Sequence, residues 1–174
     1  MGIAFARQVA RKLSAEAGAQ PPVDVKDLVT WRGLELKLED NWPSDLCARY
    51  YPRERRICVN NSHLRVRQRF STAHELGHFA LGHDEIDVDH GIAAIFGSEE
   101  ETFEVEGDLE KEANAFATEL LMPKAWVEER ASNLTAKDLA AVIQTGCYVS
   151  GAAAWYRVME LRLAEFARVR RRRH

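Results

Sequence analysis

The sequence predicts an α+β domain: a small three-stranded sheet packed with one motif-bearing helix, a second glutamate-bearing helix and a C-terminal helical region. Three observations carry that prediction. Apolar residues recur at helical spacing before residue 33, over 64–81 and again from 108 onward, the three stretches with strand patterning sit together between residues 34 and 60, and 174 residues are the length of a single domain. With 46% hydrophobic, 29% charged and 9% aromatic residues, the chain can bury a core without disulfides, which excludes disordered and fibrous classes.

Phe5, Ala6, Val9, Ala10, Leu13 and Ala17 define a first helix, stopped by Gly18 with Pro21 and Pro22 behind it. A short second helix runs from Asp24 as N-cap to Arg32, with Gly33 where a left-handed residue is wanted. Residues 34–39, Leu-Glu-Leu-Lys-Leu-Glu, alternate strictly and form a strand with one apolar face. Two more strands, 46–51 and 56–60, are joined by the polar turn Pro52-Arg53-Glu54-Arg55. The helical period returns over 64–81. Residues 82–107 are acidic and show little periodicity, and connections of that length tend to be functional or mobile. Helices resume over 108–121, 124–130, 135–144 and 150–166, with Pro123 closing the first of them. No repeat or linker divides the chain, so 1–167 reads as one domain and 168–174 as an arginine-rich tail.

The net charge of −3 hides an asymmetry between an acidic body and Arg168, Arg170, Arg171, Arg172 and Arg173 at the C-terminus. Residues 84–112 hold twelve carboxylates against Lys111 alone, and 49–69 hold seven arginines against Glu54 alone, so two faces of opposite sign are expected. The acidic run reads as a solvated surface or as a dock for a basic partner, and the tail as a frayed, solvated end. Arg7 interrupts the N-terminus and the apolar run 92–96 is too short to cross a bilayer, so neither a signal peptide nor a membrane partner is expected. Cys47, Cys58 and Cys147 are scattered without a C-x-x-C pair, which fits a reducing compartment, the cytoplasm, and inert packing roles.

The sharpest feature is His74-Glu75-Leu76-Gly77-His78, an H-E-x-x-H pattern inside a segment that is helical on independent grounds. At about 100° per residue, the two histidines lie about 40° apart on one helix face, so both imidazoles can reach one zinc ion. Glu75 lies beside them, where a general base can reach a water on the metal, while Ala73, Leu76 and Ala80 face the other way. A zinc held by three protein groups keeps a fourth position for water and lowers its pKa to about 7. A third ligand is therefore required. The metzincin extension fails, because Leu81 and Asp84 stand where it needs glycine and histidine, and His83 is one residue out of step.

The helix over 108–121 offers two glutamates, Glu110 and Glu112, on opposite flanks of the stripe formed by Leu109, Ala113, Phe116, Ala117 and Leu120. Glu110 shares its flank with Ala113, Asn114, Ala117 and Leu121, small or apolar groups that admit another helix. Glu112 sits beside Asp108 and Glu119 on what reads as a solvated acidic face. Glu110 is the expected ligand and Glu112 the alternative. Asn114, one turn beyond Glu110, is positioned to hydrogen-bond a ligand histidine from behind.

These residues resemble the ImmA/IrrE metallo-endopeptidases, gluzincin-like zinc proteins of bacteria and their mobile elements. The resemblance covers most of the chain. It rests on the run from Arg69 to His78, the E-x-x-A-N-x-F-A run from Glu110, Leu120-Leu121-Met122-Pro123, Val149-Ser150-x-x-Ala153-x-x-x-Arg157, and Pro21-Pro22-Val23-Asp24; Val158 stands where the family usually has leucine. It implies one zinc ion on His74, His78 and Glu110, with Glu75 as catalytic base. It further implies proteolysis of a helix-turn-helix repressor or antitoxin-type regulator, tied to stress or mobile-element gene control.

The transition-state electrophile is open among His63, His83, His90, Tyr50, Tyr51 and Tyr148, with the three histidines read as surface or loop residues. An extended substrate is expected to pair with a free sheet edge at strand 56–60. The competing reading is a non-catalytic, zinc-containing regulator or toxin-antitoxin component that binds a repressor or DNA. Residues 135–161 have the outline of a helix-turn-helix with Gly146 in the turn, yet Ala152, Ala153, Ala154 and Trp155 occupy the base-facing turns. Nucleic-acid binding is therefore not favoured, and packing against the domain is the expected use of that face.

Overall fold

The computed structural model describes residues 2–83, 107–132 and 134–171, with the side chains of the last helix as far as Arg162. Its architecture is α+β. The order along the chain is α1 (Ile3–Ala17), α2 (Val25–Trp31), β1 (Glu35–Glu39), β2 (Ala48–Tyr51), β3 (Arg56–Asn60), α3 (Arg65–Leu81), α4 (Asp108–Leu121), α5 (Lys124–Arg130), α6 (Ala136–Cys147) and α7 (Gly151–Arg171). The acidic residues 84–106, with His90 among them, lie outside the described residues. Among those described, no helix is long and apolar enough to cross a membrane.

Local chemistry explains the ends of the early elements. The Asp24 carboxylate accepts from the backbone N–H groups of Lys26 and Asp27 at 2.9 and 3.2 Å, capping α2. Gly33, at φ 71°, turns the chain out of α2 and into β1. The sheet order is β1-β3-β2, with β1 parallel and β2 antiparallel to β3. The central strand is thus the one over 56–60, and it has no free edge. The edge expected there for a substrate is occupied on both sides, because β1 returns to pair with β3 across β2's sequence. The edge strand that lies against α3 is β2.

Central position explains why β3 is the best-buried strand: Ile57, Cys58, Val59 and Asn60 are all buried. Asn60 is polar there, yet its amide donates to the carbonyls of Pro43 and Leu46 at 2.9 and 2.8 Å and its oxygen accepts from Ser62. Gln68, in the first turn of α3, donates back to the carbonyls of Asn61 and His63. These bonds fasten the start of α3 to the end of the central strand.

α4 packs on α3 along one side and α1 along another. It is covered on both flanks, and Ala113, Phe116, Ala117, Leu120 and Leu121 are its core residues. A buried ion pair closes the far side. Arg157 of α7 donates to Glu119 of α4 at 2.5 Å, to the Met122 carbonyl at 3.0 Å and to Glu160 at 2.7 Å. Glu119 also accepts from Arg11 and from the Lys124 backbone N–H, and Arg7 of α1 pairs with Glu160, so four elements meet at this network.

The C-terminal helices depart from the sequence reading in two respects. Gly146 is not in a turn: α6 continues through it to Cys147, and Tyr148, at φ 53°, is the left-handed residue that ends the helix. Glycine is required there by packing, because a Cβ at 146 would lie 2.5 Å from Cη2 of Trp126. The second departure is that α7 runs to Arg171, past the expected end at 166, since alanine and arginine are good helix formers and no breaker stands in its path. Ala153, Ala154, Arg157 and Val158 of α7 are buried against the domain.

Candidate metal centre

His74, Glu75 and His78 lie in the second half of α3, the part held deepest in the domain, and all three are buried. One helical turn separates the histidines, and their Nε2 atoms are 2.9 Å apart. Glu110, in the first turn of α4, reaches both: Oε2 is 3.1 Å from His74 Nε2 and Oε1 is 3.2 Å from His78 Nε2. The three side chains form the one group with metal-binding geometry found among the described residues, their donor atoms all within 4.8 Å of one another. Glu112 is not part of it.

Close approach of α4 to α3 makes this convergence possible, and Gly77 permits it. A Cβ at 77 would lie 3.0 Å from Cδ1 of Phe116 and 3.3 Å from the Ala113 Cα, so glycine leaves room for a helix backbone. Gly77→Ala is accordingly expected to push α4 outward by a few tenths of an ångström and to weaken metal binding roughly tenfold without touching a donor atom. A chelator competition on the two proteins checks this; unchanged affinity would mean that the spacing of the helices is not what brings Glu110 to the histidines.

The donor set fits a metal ion. The Nδ1 of His74 lies 2.9 Å from the Asn114 Oδ1, an amide oxygen that accepts only, so His74 carries its proton on Nδ1 and presents a bare lone pair at Nε2. Two imidazole nitrogens and a carboxylate facing one another at about 3 Å call for a cation between them, and a two-nitrogen, one-oxygen set with three protein groups suits zinc. Burial opposes ionisation of Glu110, yet the imidazoles of His74 and His78 that face it hold the carboxyl well below the usual carboxylate range.

Glu75 has the opposite electrostatics. Burial pushes its carboxyl up to about 7, against the pull of His78, while the backbone N–H of Tyr50 on β2 hydrogen-bonds the carboxylate. A carboxylate with a proton affinity near neutrality beside the histidines has the properties of a general base. It also ties the strand edge to the site, because the group that touches Glu75 is a backbone amide of β2.

Two sequence expectations are corrected here. Glu112 does not lie on a solvated face: it is buried, as is Glu119, because α4 is covered on this flank too. His83 is a loop residue, just past the end of α3, but not a surface one: it is buried. Gly82, at φ 71°, ends α3 with the Gly82 N–H on the Phe79 carbonyl and the His83 N–H on the His78 carbonyl, the double bond pattern of a Schellman motif. That turn folds residue 83 back over residue 78. His83 Nδ1 lies 3.0 Å from His78 Nδ1, and His83 Nε2 lies 3.2 Å from Glu112 Oε2. Burial and the neighbouring His78 lower the pKa of His83, against the opposing effect of Glu112. The signal was present in the sequence as glycine four residues after His78 with histidine next, a C-terminal cap that stacks its last residue on the helix.

The remaining candidates are dispersed. His63 donates from Nε2 to the Ser44 carbonyl, 2.9 Å away on the exposed rim. Tyr148 caps α6 beneath the Arg69 guanidinium, Tyr51 packs under Arg49, and the Tyr50 ring meets Phe79 edge-on. Cys47, Cys58 and Cys147 are all buried and form no disulfide, and burial raises the thiols of Cys58 and Cys147 to about 11.

No curated protein matches the sequence. The family model Peptidase_M78, described as the IrrE N-terminal-like domain, matches residues 35–160, a span from the first strand of the sheet to the buried arginine network of α7 and including every residue of the cluster. With the matched region covering most of the chain, this protein belongs to the IrrE N-terminal-like family of peptidases.

Proposed function

We propose that this chain is a zinc-dependent endopeptidase that cleaves a helix-turn-helix regulatory protein of repressor or antitoxin type, acting in the cytoplasm in stress-response or mobile-element gene control. The observation that carries the reading is the convergence of His74, His78 and Glu110 within 4.8 Å, with the buried Glu75 beside them. Zinc on those three side chains would supply a Lewis acid that makes water more acidic and polarises a peptide carbonyl.

The chain's own residues do the rest. Glu75, tuned by burial, takes a proton from the attacking water and returns it to the departing amine. The Tyr50 N–H steadies one carboxylate oxygen, which leaves the other for proton transfer. An extended substrate segment that adds to the outer edge of β2 would run past Glu75, since that edge already faces the carboxylate.

Incubating the zinc-loaded protein with helix-turn-helix regulators encoded near it, and reading intact mass, tests the reading. One discrete cut that a chelator abolishes is the expected result. Tight binding of such a regulator with no cut under any metal loading would overturn the enzymatic reading in favour of a regulator that only binds.

A further inference from the structure

We propose that His83 and Glu112 form a positioning relay behind the metal centre, a chain of hydrogen bonds that fixes the tautomer and ring orientation of His78 and ends on a buried carboxylate. The inference rests on the reading that His74, His78 and Glu110 hold a metal ion.

Proton assignment along the chain is self-consistent. If His78 gives its Nε2 lone pair to a metal, its proton is on Nδ1. The atom facing that proton is His83 Nδ1 at 3.0 Å, which must then accept, so the proton of His83 sits on Nε2. The atom facing Nε2 is Glu112 Oε2 at 3.2 Å, a carboxylate oxygen that accepts. Each donor meets an acceptor, and reversing any link leaves two protons or two lone pairs in contact.

The surroundings support a built arrangement. His83 and Glu112 are 6% and 3% exposed, so neither is held there by chance at the surface, and burying a carboxylate requires partners. The backbone turn at Gly82 places His83 independently of the metal. The two ligand histidines are treated differently: the second nitrogen of His74 rests on the neutral amide of Asn114, whereas that of His78 rests on a chain ending in a charge. A carboxylate at the end of such a chain raises the donor strength of the histidine that binds the metal.

The test is metal affinity, measured as Zn2+ competition against a chromophoric chelator, together with the visible spectrum of the Co2+-loaded protein. His83→Phe should weaken Zn2+ binding about 10–100-fold and alter the Co2+ bands. Adding Glu112→Leu to it should weaken binding no further, because in the relay Glu112 reaches His78 through His83. Glu112→Gln, which keeps an acceptor oxygen for His83 but loses the charge, should weaken binding less than His83→Phe does. The double variant removes the buried carboxylate together with the histidine it faces and keeps the test open if His83→Phe alone does not fold.

Wild-type affinity and spectrum in His83→Phe or in the double variant would overturn the relay while leaving the metal centre standing. Additive losses in the double variant, with Glu112→Gln binding no better than His83→Phe, would also overturn it, since they describe two independent packing defects. A wild-type protein that binds neither ion would overturn the metal reading beneath it.

Discussion

Glu75→Gln is expected to lower the cleavage rate by about 10²–10⁴-fold, the usual contribution of a positioned general base, while leaving the metal content unchanged. Glutamine has the same shape and its amide oxygen can still accept from the Tyr50 N–H, so the pocket is preserved. What it loses is the ability to take a proton. Glu75 also stands outside the group of donor atoms formed by His74, His78 and Glu110, so its loss removes no ligand. Single-turnover cleavage of the regulator and zinc per chain, measured on the same preparation, check both halves. Full activity in this variant would remove Glu75 from the chemistry.

The largest expected effect on stability is at Arg157, far from the metal centre. Its guanidinium is about 1% exposed and divides its hydrogen bonds among Glu119, Glu160 and the Met122 carbonyl. Arg157→Met keeps the volume but leaves Glu119 buried with only Arg11 and a backbone amide, and breaking a buried pair from one side costs about 3–5 kcal/mol. For a chain of this length that lowers the melting midpoint by roughly 10 °C or more. Adding Glu119→Leu should recover part of the loss, because replacing both partners by apolar groups removes the unpaired charge. Thermal unfolding of the two variants decides it; a midpoint within about 2 °C of wild type in Arg157→Met would show that the network contributes little.

Periodicity sufficed for most of the fold because each element carries its own local signal: the alternation in 34–39, the Asp24 cap and Gly33 turn, and the proline after α4. Sheet order was not legible. Pairing of β1 with β3 across β2 depends on long-range packing, and the sequence pattern of three successive strands does not distinguish it from a meander. Gly146 misled for a related reason. A glycine near a helix end reads as a turn, whereas here it makes room for the Trp126 ring.

At the site, the helix register alone puts His74 and His78 on one face, and the small neighbours of Glu110 mark the flank where α3 can approach. The identity of the other flank was not readable. Charged residues such as Glu112 and Glu119 look solvated in a sequence, and only the positions of His83 and Arg157, brought in from a turn and from a distant helix, show why they are buried. Seven arginines in 49–69 likewise looked like one basic face, yet Arg55 and Arg69 are spent on backbone carbonyls and on the rings of Phe79 and Tyr148.

The most direct measurement is zinc per chain by elemental analysis, for the wild type beside Glu110→Ala and Glu112→Ala. The account predicts about one zinc in the wild type, its loss in Glu110→Ala, and zinc that is retained but more easily stripped by a chelator in Glu112→Ala. Zinc retained in Glu110→Ala, or none in a carefully prepared wild type, would contradict it.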